Sequence, residues 1–157
     1  MKREKLVEYI QEKFGDRIEL LESGAVEPIF LIKNKDDVFG FCKEIRDDLK
    51  LQVEFLCAIT AVDNSDNFEV IYSVASVSKI HRFDFKVVLD HDNPEIDSVI
   101  EVWTGANWYE REIWELYGIN VKNHPNLSRF LLPDDWNQGH PMRRDWDAPD
   151  FKRMPDL

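Results

Sequence analysis

Apolar residues recur along this chain with two periods, and the switches between them outline the fold. Leu6, Ile10 and Phe14 are spaced by four with Val7 beside them, so the chain up to Gly15 reads as an amphipathic helix. Two short apolar runs follow, Ile18 to Leu21 and Ile29 to Ile32, divided by the Ser23-Gly24 turn; Pro28 leads into the second. Both read as strands. Helical spacing returns with Val38, Cys42, Ile45 and Leu49 on one stripe, where Asn34 or Asp36 can cap the start.

Three strands are predicted next. Val53 to Val62 is almost continuously apolar, which predicts a central strand buried on both faces. Phe68, Val70, Tyr72 and Val74 alternate with their neighbours, and Phe83, Phe85, Val87 and Leu89 alternate against Arg82, Asp84 and Lys86. Both patterns predict half-buried strands. The Asp63 to Asn67 and Ser76 to Lys79 connections are short, which favours antiparallel hairpins. Pro94 opens a region that reads as helical to Tyr117, interrupted near Thr104-Gly105. The order of elements predicts an α+β domain over residues 1–117, with helices on one face of a mixed or antiparallel sheet.

Residues 118–157 follow neither period. They carry Ile119, Leu127, Phe130, Leu131, Trp136, Met142, Trp146 and Phe151, and prolines at 125, 133, 141, 149 and 155 that forbid a long helix. A disordered tail would be poorer in such apolar residues, and a self-folding one would show a period. The apolar side chains are also too few to order the segment by packing on one another, given the entropy lost per residue. Residues 118–157 are therefore expected to form an extended C-terminal arm that needs the domain's flank and docks on a partner subunit; an arm wrapped only around its own body is the alternative.

Charge sharpens that picture. The net charge is −11, and 118–157 hold as many basic as acidic side chains, so the whole excess sits on residues 1–117. An acidic body disfavours nucleic acid as a partner, since phosphate neutralisation needs a basic face. It equally disfavours direct adsorption to an anionic membrane. The two cysteines, Cys42 and Cys57, read as small core residues. They are too few for an iron–sulfur cluster, which needs about four thiolates. The first residues lack an apolar run of the kind a signal peptide needs, and no stretch of about 18 apolar residues suggests a membrane span. The chain is expected to be cytosolic, or peripheral through a partner.

Chemistry concentrates after Gly105. Ala106, Tyr109, Ile113, Leu116 and Tyr117 share one helical face, expected to be core, while Asn107, Arg111 and Glu115 step by four along another, so Arg111 and Glu115 can pair. Glu110 and Glu112 flank Arg111, which invites a general acid/base reading and a stand-alone carboxylate enzyme. Their side chains point roughly 200° apart on a helix, so they do not converge on one substrate atom. A buried or interfacial ion network fits them better. His124 and His140 are each followed by proline, and a metal-binding module through them is the other alternative. No H-x-x-x-H and no cysteine pair stands at ligand spacing. Proline after histidine forces an extended backbone, which suits an imidazole bonded to a backbone group or a carboxylate. His81 and His91 bracket a strand and read as surface residues. No G-x-G-x-x-G, Walker loop or G-x-S-x-G elbow occurs, so the chain offers no nucleotide site and no nucleophile elbow.

Several linked motifs from Asn107 to Asp145 carry a resemblance. They are W-Y-E-R-E at Trp108 to Glu112, Glu115 with Leu116 and Tyr117, Gly118-Ile119, His124-Pro125, L-L-P-D-D-W at Leu131 to Trp136, and G-H-P-M-R-R-D at Gly139 to Asp145. In this order they resemble the C subunit of the respiratory NADH:quinone oxidoreductase, complex I, a family also represented in membrane-bound hydrogenases. Before residue 95 the resemblance is one of length and element order only. The family tends to have a basic residue where Ser128 stands, and often one residue fewer between Trp136 and Gly139.

The resemblance implies an α+β subunit of the peripheral arm, on the cytoplasmic side of the cell membrane, in contact with the membrane only through its complex. It implies a bound partner similar to the large subunit of nickel–iron hydrogenases (the D subunit of complex I), neighbouring peripheral-arm subunits, and no cofactor in the chain itself. The holo-complex uses NADH, flavin, iron–sulfur clusters and quinone and translocates protons. The equivalent place in a membrane-bound hydrogenase or a ferredoxin-linked complex is the alternative. No catalytic, cofactor-binding or metal-ligating residue is implied. Trp108, Glu110, Arg111, Glu112, His124, Arg129, Trp136, His140, Arg143, Arg144 and Asp145 are by resemblance structural or partner-docking positions.

Overall fold

A computed structural model describes residues 2–148 and 150. Helix α1 (Arg3–Phe14) leads into strands β1 (Ile18–Leu21) and β2 (Ile29–Ile32), and a short 3-10 turn, Lys35–Asp37, precedes helix α2 (Val38–Asp47). Strands β3 (Phe55–Asp63), β4 (Asn67–Ser76) and β5 (His81–Asp90) follow, then β6 (Glu95–Asp97), helix α3 (Ala106–Tyr117) and β7 (Asn120–Lys122). The main sheet runs β1-β2-β5-β4-β3. Its pairs are antiparallel except β2 with β5, which are parallel, so the sheet is mixed.

The period-two residues of β4 and β5 do what alternation demands. Phe68, Val70, Tyr72 and Val74 and their β5 partners Leu89, Val87, Phe85 and Phe83 all point into one core. Leu6, Ile10 and Phe14 of α1 and Val38, Phe41, Cys42 and Ile45 of α2 cover that face. Phe41 joins the layers, with its ring edge-on to Phe14 and to Phe85, both at 5.2 Å. The opposite face stays polar and half-open, and there Lys86 pairs with Glu69 at 2.7 Å.

Several expectations are corrected. Strand β3 is an edge strand, not a central one: Thr60 and Val62 face outward. Its long apolar run answers two neighbours, the core on one side and α3 along the margin, where a register shift at Leu56/Ala58 frees the Cys57 carbonyl for the Tyr109 hydroxyl at 2.8 Å. Cys57 is accordingly half-buried, while Cys42 is core.

Leu49 does not extend the α2 stripe. The helix ends at Asp47, and Asp48 accepts the N–H groups of Lys50 and Leu51, both at 2.8 Å. That turn exposes Leu49, at 82%, and buries Leu51 in its place. Of the two candidate caps, Asn34 accepts the Asp36 N–H and caps the 3-10 turn.

The stretch after Pro94 is not helical before Ala106. Ile96 lies in β6, which pairs in parallel with β7 and places Ile96 opposite Val121. Ile119 and Val121, expected in the arm, are therefore buried with the body, together with Val99, Val102 and Trp103. A three-residue strand is too short to show a period, and so its pattern merged with the helix that follows.

Candidate partner-docking site: the arm on helix α3

Helix α3 ends at Gly118, whose φ of +74° is the left-handed conformation that glycine adopts at low cost. A Cβ at Gly118 would also lie 2.5 Å from the His140 ring. The glycine therefore lets the chain turn and lets a distant loop approach. The last turn of a helix leaves carbonyls without intrahelical partners, and here the arm supplies them. His140 Nδ1 bonds to the Glu115 carbonyl at 2.9 Å, the Met142 N–H donates to the Leu116 carbonyl at 3.0 Å, and Arg143 Nε donates to the Tyr117 carbonyl at 2.6 Å. The G-H-P-M-R-R-D motif thus caps α3, with a guanidinium at the negative end of the helix dipole. The Arg143 guanidinium also lies 5.1 Å from the centre of the Phe68 ring.

One residue further, the Arg144 N–H donates to Asp63 Oδ2 at 2.9 Å, at the end of β3. Burial would raise the Asp63 pKa, but the N–H groups of Arg144 and Ser65 and the nearby His91 outweigh it and hold the carboxyl below its ordinary value. His91 is no plain surface residue: it stacks on Phe68 with ring centres 4.7 Å apart and faces Asp63 at 3.5 Å. Asp63, Ser65, His91, Arg144 and the exposed Asp145 line one recess of about 210 Å³.

The middle of α3 grips the arm a second time. Glu115 is buried, and its carboxylate accepts the N–H groups of Phe130, Leu131 and Leu132 at 3.4, 3.0 and 3.2 Å. Arg111 donates through Nε to the Ser128 carbonyl at 2.7 Å and through a terminal nitrogen to the Arg129 carbonyl at 3.2 Å. The expected Arg111–Glu115 pair is not formed. Each side chain turns to the arm's backbone instead, one as donor and one as acceptor. The Arg111 guanidinium lies 4.7 Å from the centre of the Trp108 ring and 4.9 Å from that of Phe130, and the two rings meet edge-on at 5.3 Å.

The remaining positions divide. Glu110 is buried on the body side of α3, 1% exposed, and accepts the Ser98 hydroxyl and the Val99 N–H, both at 2.6 Å. Burial raises its pKa to about 7, against the lowering effect of those two hydrogen bonds. His124 Nδ1 accepts the Asn126 N–H at 3.1 Å, in the turn-forming role expected of it. Arg129 is exposed and bonds to the Asp134 carbonyl at 3.3 Å. Trp136 donates to the Gly139 carbonyl at 2.7 Å and Trp146 to that of Gln138, a turn the arm makes with itself around Gly139. Glu112 is half-buried and, among the described residues, has neither ion pair nor side-chain hydrogen bond. Phe151, Met154 and Leu157 lie outside the described residues.

This polar grip leaves apolar surface uncovered. Trp108 and Leu131 are each 55% exposed, Met142 52% and Phe130 39%. Among the described residues no cluster of three or more histidine, cysteine or acidic side chains is placed to hold a metal ion. No helix among them is long and apolar enough to cross a membrane.

The chain matches the family described as "Respiratory-chain NADH dehydrogenase, 30 Kd subunit" over residues 31–152, and it belongs to that family. It is 35% identical to the C subunit of the NADH-quinone oxidoreductase of Chloroherpeton thalassium, covering 87% of this chain and 58% of that protein. It is 37% identical to the C subunit of the F(420)H(2) dehydrogenase of Methanosarcina mazei, covering 91% and 90%. Two solved structures share the fold. One is the trypsin-resistant fragment (1-134) of Nqo5, with a TM-score of 0.63 and 24% identity over 81% of this chain and 100% of that one. The other is a chain of an archaeal membrane-bound sulfane sulfur reductase, with a TM-score of 0.70 and 22% identity over 93% and 86%.

Proposed function

We propose that this chain is a non-catalytic, cofactor-free peripheral subunit of a proton-translocating NADH:quinone oxidoreductase. Its arm supports assembly with the hydrogenase-like large subunit and neighbouring peripheral-arm subunits. The complex would lie on the cytoplasmic side of the membrane, with NADH, flavin, iron–sulfur clusters and quinone bound by other chains. The supporting observation is the Trp108–Phe130–Leu131 surface. Arg111 and Glu115 fix the arm by its backbone and leave its Phe130 and Leu131 side chains partly open to solvent beside Trp108 of α3. Large contiguous apolar groups on a fixed frame mark a protein contact more than a pocket chemistry. Helix geometry argues against a carboxylate enzyme, because Glu110 faces the body, Glu115 the arm, and neither opens on a shared cleft.

A second reading places the chain in a hydrogenase-type, ferredoxin-linked or F420-linked complex. The Methanosarcina relative supports it as well as the bacterial one supports the first. Co-expression of the chain with its cognate large subunit tests the docking reading. Trp108→Ala combined with Leu131→Asp should abolish co-purification while leaving the melting of the isolated chain unchanged. Undiminished complex yield from that double variant would overturn it. The redox partner of the purified complex then separates the two readings.

A further inference from the structure

The buried Glu110 of α3 takes no part in gripping the arm. Glu110 reaches into the body, and the root of the arm brings a buried imidazole to it. His124 Nε2 lies 3.8 Å from Glu110 Oε2, the His124 side chain is fully buried, and Nε2 has no hydrogen-bond partner. The Asn126 N–H already occupies Nδ1, so the neutral ring carries its proton on Nε2, the nitrogen 3.8 Å from the carboxyl oxygen. Burial, with the charge of Arg111 adding to it, holds the imidazole below its ordinary pKa and therefore neutral. The Asn107 backbone also faces the ring without completing a hydrogen bond to Nε2.

We propose that Glu110 and His124 form a buried, proton-responsive catch at the root of the arm. The ionised carboxylate draws in the Nε2–H of His124, and the protonated carboxyl releases it. The driving force is the shortage of donors around a buried charge. Ser98 and Val99 supply two hydrogen bonds to Glu110. Of the titratable groups facing it, the Cys42 thiol of α2 and the Tyr72 phenol of β4 stay protonated, and among the described residues neither is hydrogen-bonded to the Glu110 carboxylate. The Nε2–H lies 3.8 Å away with no partner of its own, and a shift of under ~1 Å closes the gap to hydrogen-bonding distance. Protons reach the pair through Ser98, whose hydroxyl binds Glu110 and which lines a cleft of about 320 Å³ with Asp36, Gly40, Asp97 and Asn123.

The catch operates within one chain, so it stands or falls apart from the docking reading. The test is carbon and nitrogen NMR of the full chain between about pH 5.5 and 8.5, with amide exchange of residues 124–128 corrected for its intrinsic rate. The Glu110 carboxyl should titrate near 7, the shift that burial gives it. The His124 Nε2 signal should move with the same midpoint, and protection at 124–128 should rise about fivefold or more as Glu110 ionises. In Glu110→Gln both pH responses should vanish. A Glu110 titration that His124 ignores, or protection that is flat across its midpoint, would overturn the proposal. If Glu110→Gln does not fold, the wild-type titration decides alone.

Discussion

Helix α3 has two neighbours, the sheet and the arm, and it meets them with different chemistry. Toward the sheet it presents Ala106 and Ile113, which join a continuous apolar core. Toward the arm it presents Arg111, Glu115 and its own last carbonyls, all bonded to arm backbone or arm side chains. Apolar packing is non-directional and scales with buried area. Charged hydrogen bonds fix position, and the energy of each is modest. The body is thus held by quantity and the arm by geometry. An arm held by geometry keeps its apolar side chains free, which is what a docking surface needs.

The largest effect should come from the apolar side of the comparison. Phe85 is fully buried, stacked on Tyr72 at 4.8 Å and edge-on to Phe41. Phe85→Ala should cost about 3–5 kcal/mol of global stability, as for other large-to-small core changes. Urea unfolding measures the loss. If the change instead loosened the arm at constant midpoint, the division drawn above would be wrong.

Next comes the pH dependence of the body. Burial raises the Glu110 pKa to about 7 from its ordinary value of 4.5. The folded chain therefore binds this proton more tightly than the unfolded chain does. The stabilisation is full below the unfolded value and is lost as pH rises through about 7, at a cost of about 3 kcal/mol. Asp48 runs the other way. Burial opposes ionisation there, but Lys13, Tyr9 and the Leu51 and Lys50 N–H groups outweigh it and bring its pKa to about 2. Its contribution is present near neutrality and is lost as pH falls from its ordinary value through about 2. Unfolding of wild type and Glu110→Gln at pH 5 and pH 8 should show the neutral slope in the wild type only. Parallel slopes in both would remove Glu110 as its source.

Glu115→Ala tests the polar side directly. It removes the acceptor of three arm N–H groups and should cost about 2 kcal/mol, expressed locally. Amide exchange at 130–132 should accelerate and trypsin should cut after Arg129 sooner, while the body keeps its protection. A global loss as large as that of Phe85→Ala would make arm and body one cooperative unit.

The two sides also differed in how far the sequence revealed them. Elements built on repetition were legible: α1, α2, β4 and β5 each carry enough periodic residues to declare themselves. The antiparallel hairpins followed from connection length. What repetition cannot show was missed. Strand β6 has three residues, β3 owes its apolar run to α3 at the sheet margin, and Leu49 lies past a helix end set by Asp48. The motif residues Glu110, Arg111, His140 and Arg143 stand out by resemblance as structural or docking positions, but their partners do not. Arg111 and Glu115 stand four apart and suggest a pair, yet both bind backbone, which has no signature in sequence. Asp63 and His91 were missed because they reach Arg144 and Phe68 only through the fold. The glycine after Tyr117 was the one local signal that the helix end would be met closely by another segment.

The smallest effect should come from Glu112, and it is the sharpest control. Glu110, Glu112 and Glu115 lie within six residues of one helix, so a grip due to negative charge alone would engage all three. Glu110 and Glu115 are buried and bonded, whereas Glu112 is half-buried and bonds to nothing among the described residues. Its visible influence is on Tyr117, whose phenol pKa is raised first by burial and then by the charges of Glu112 and Asp63. Glu112→Gln should therefore change stability by less than about 0.5 kcal/mol and leave exchange at 130–132 untouched. It should lower the Tyr117 titration midpoint, read from its ring carbon signal, because one neighbouring negative charge no longer opposes ionisation. Release of the arm by Glu112→Gln would mean that helix charge, not the placement of Glu115 beneath three backbone N–H groups, secures it.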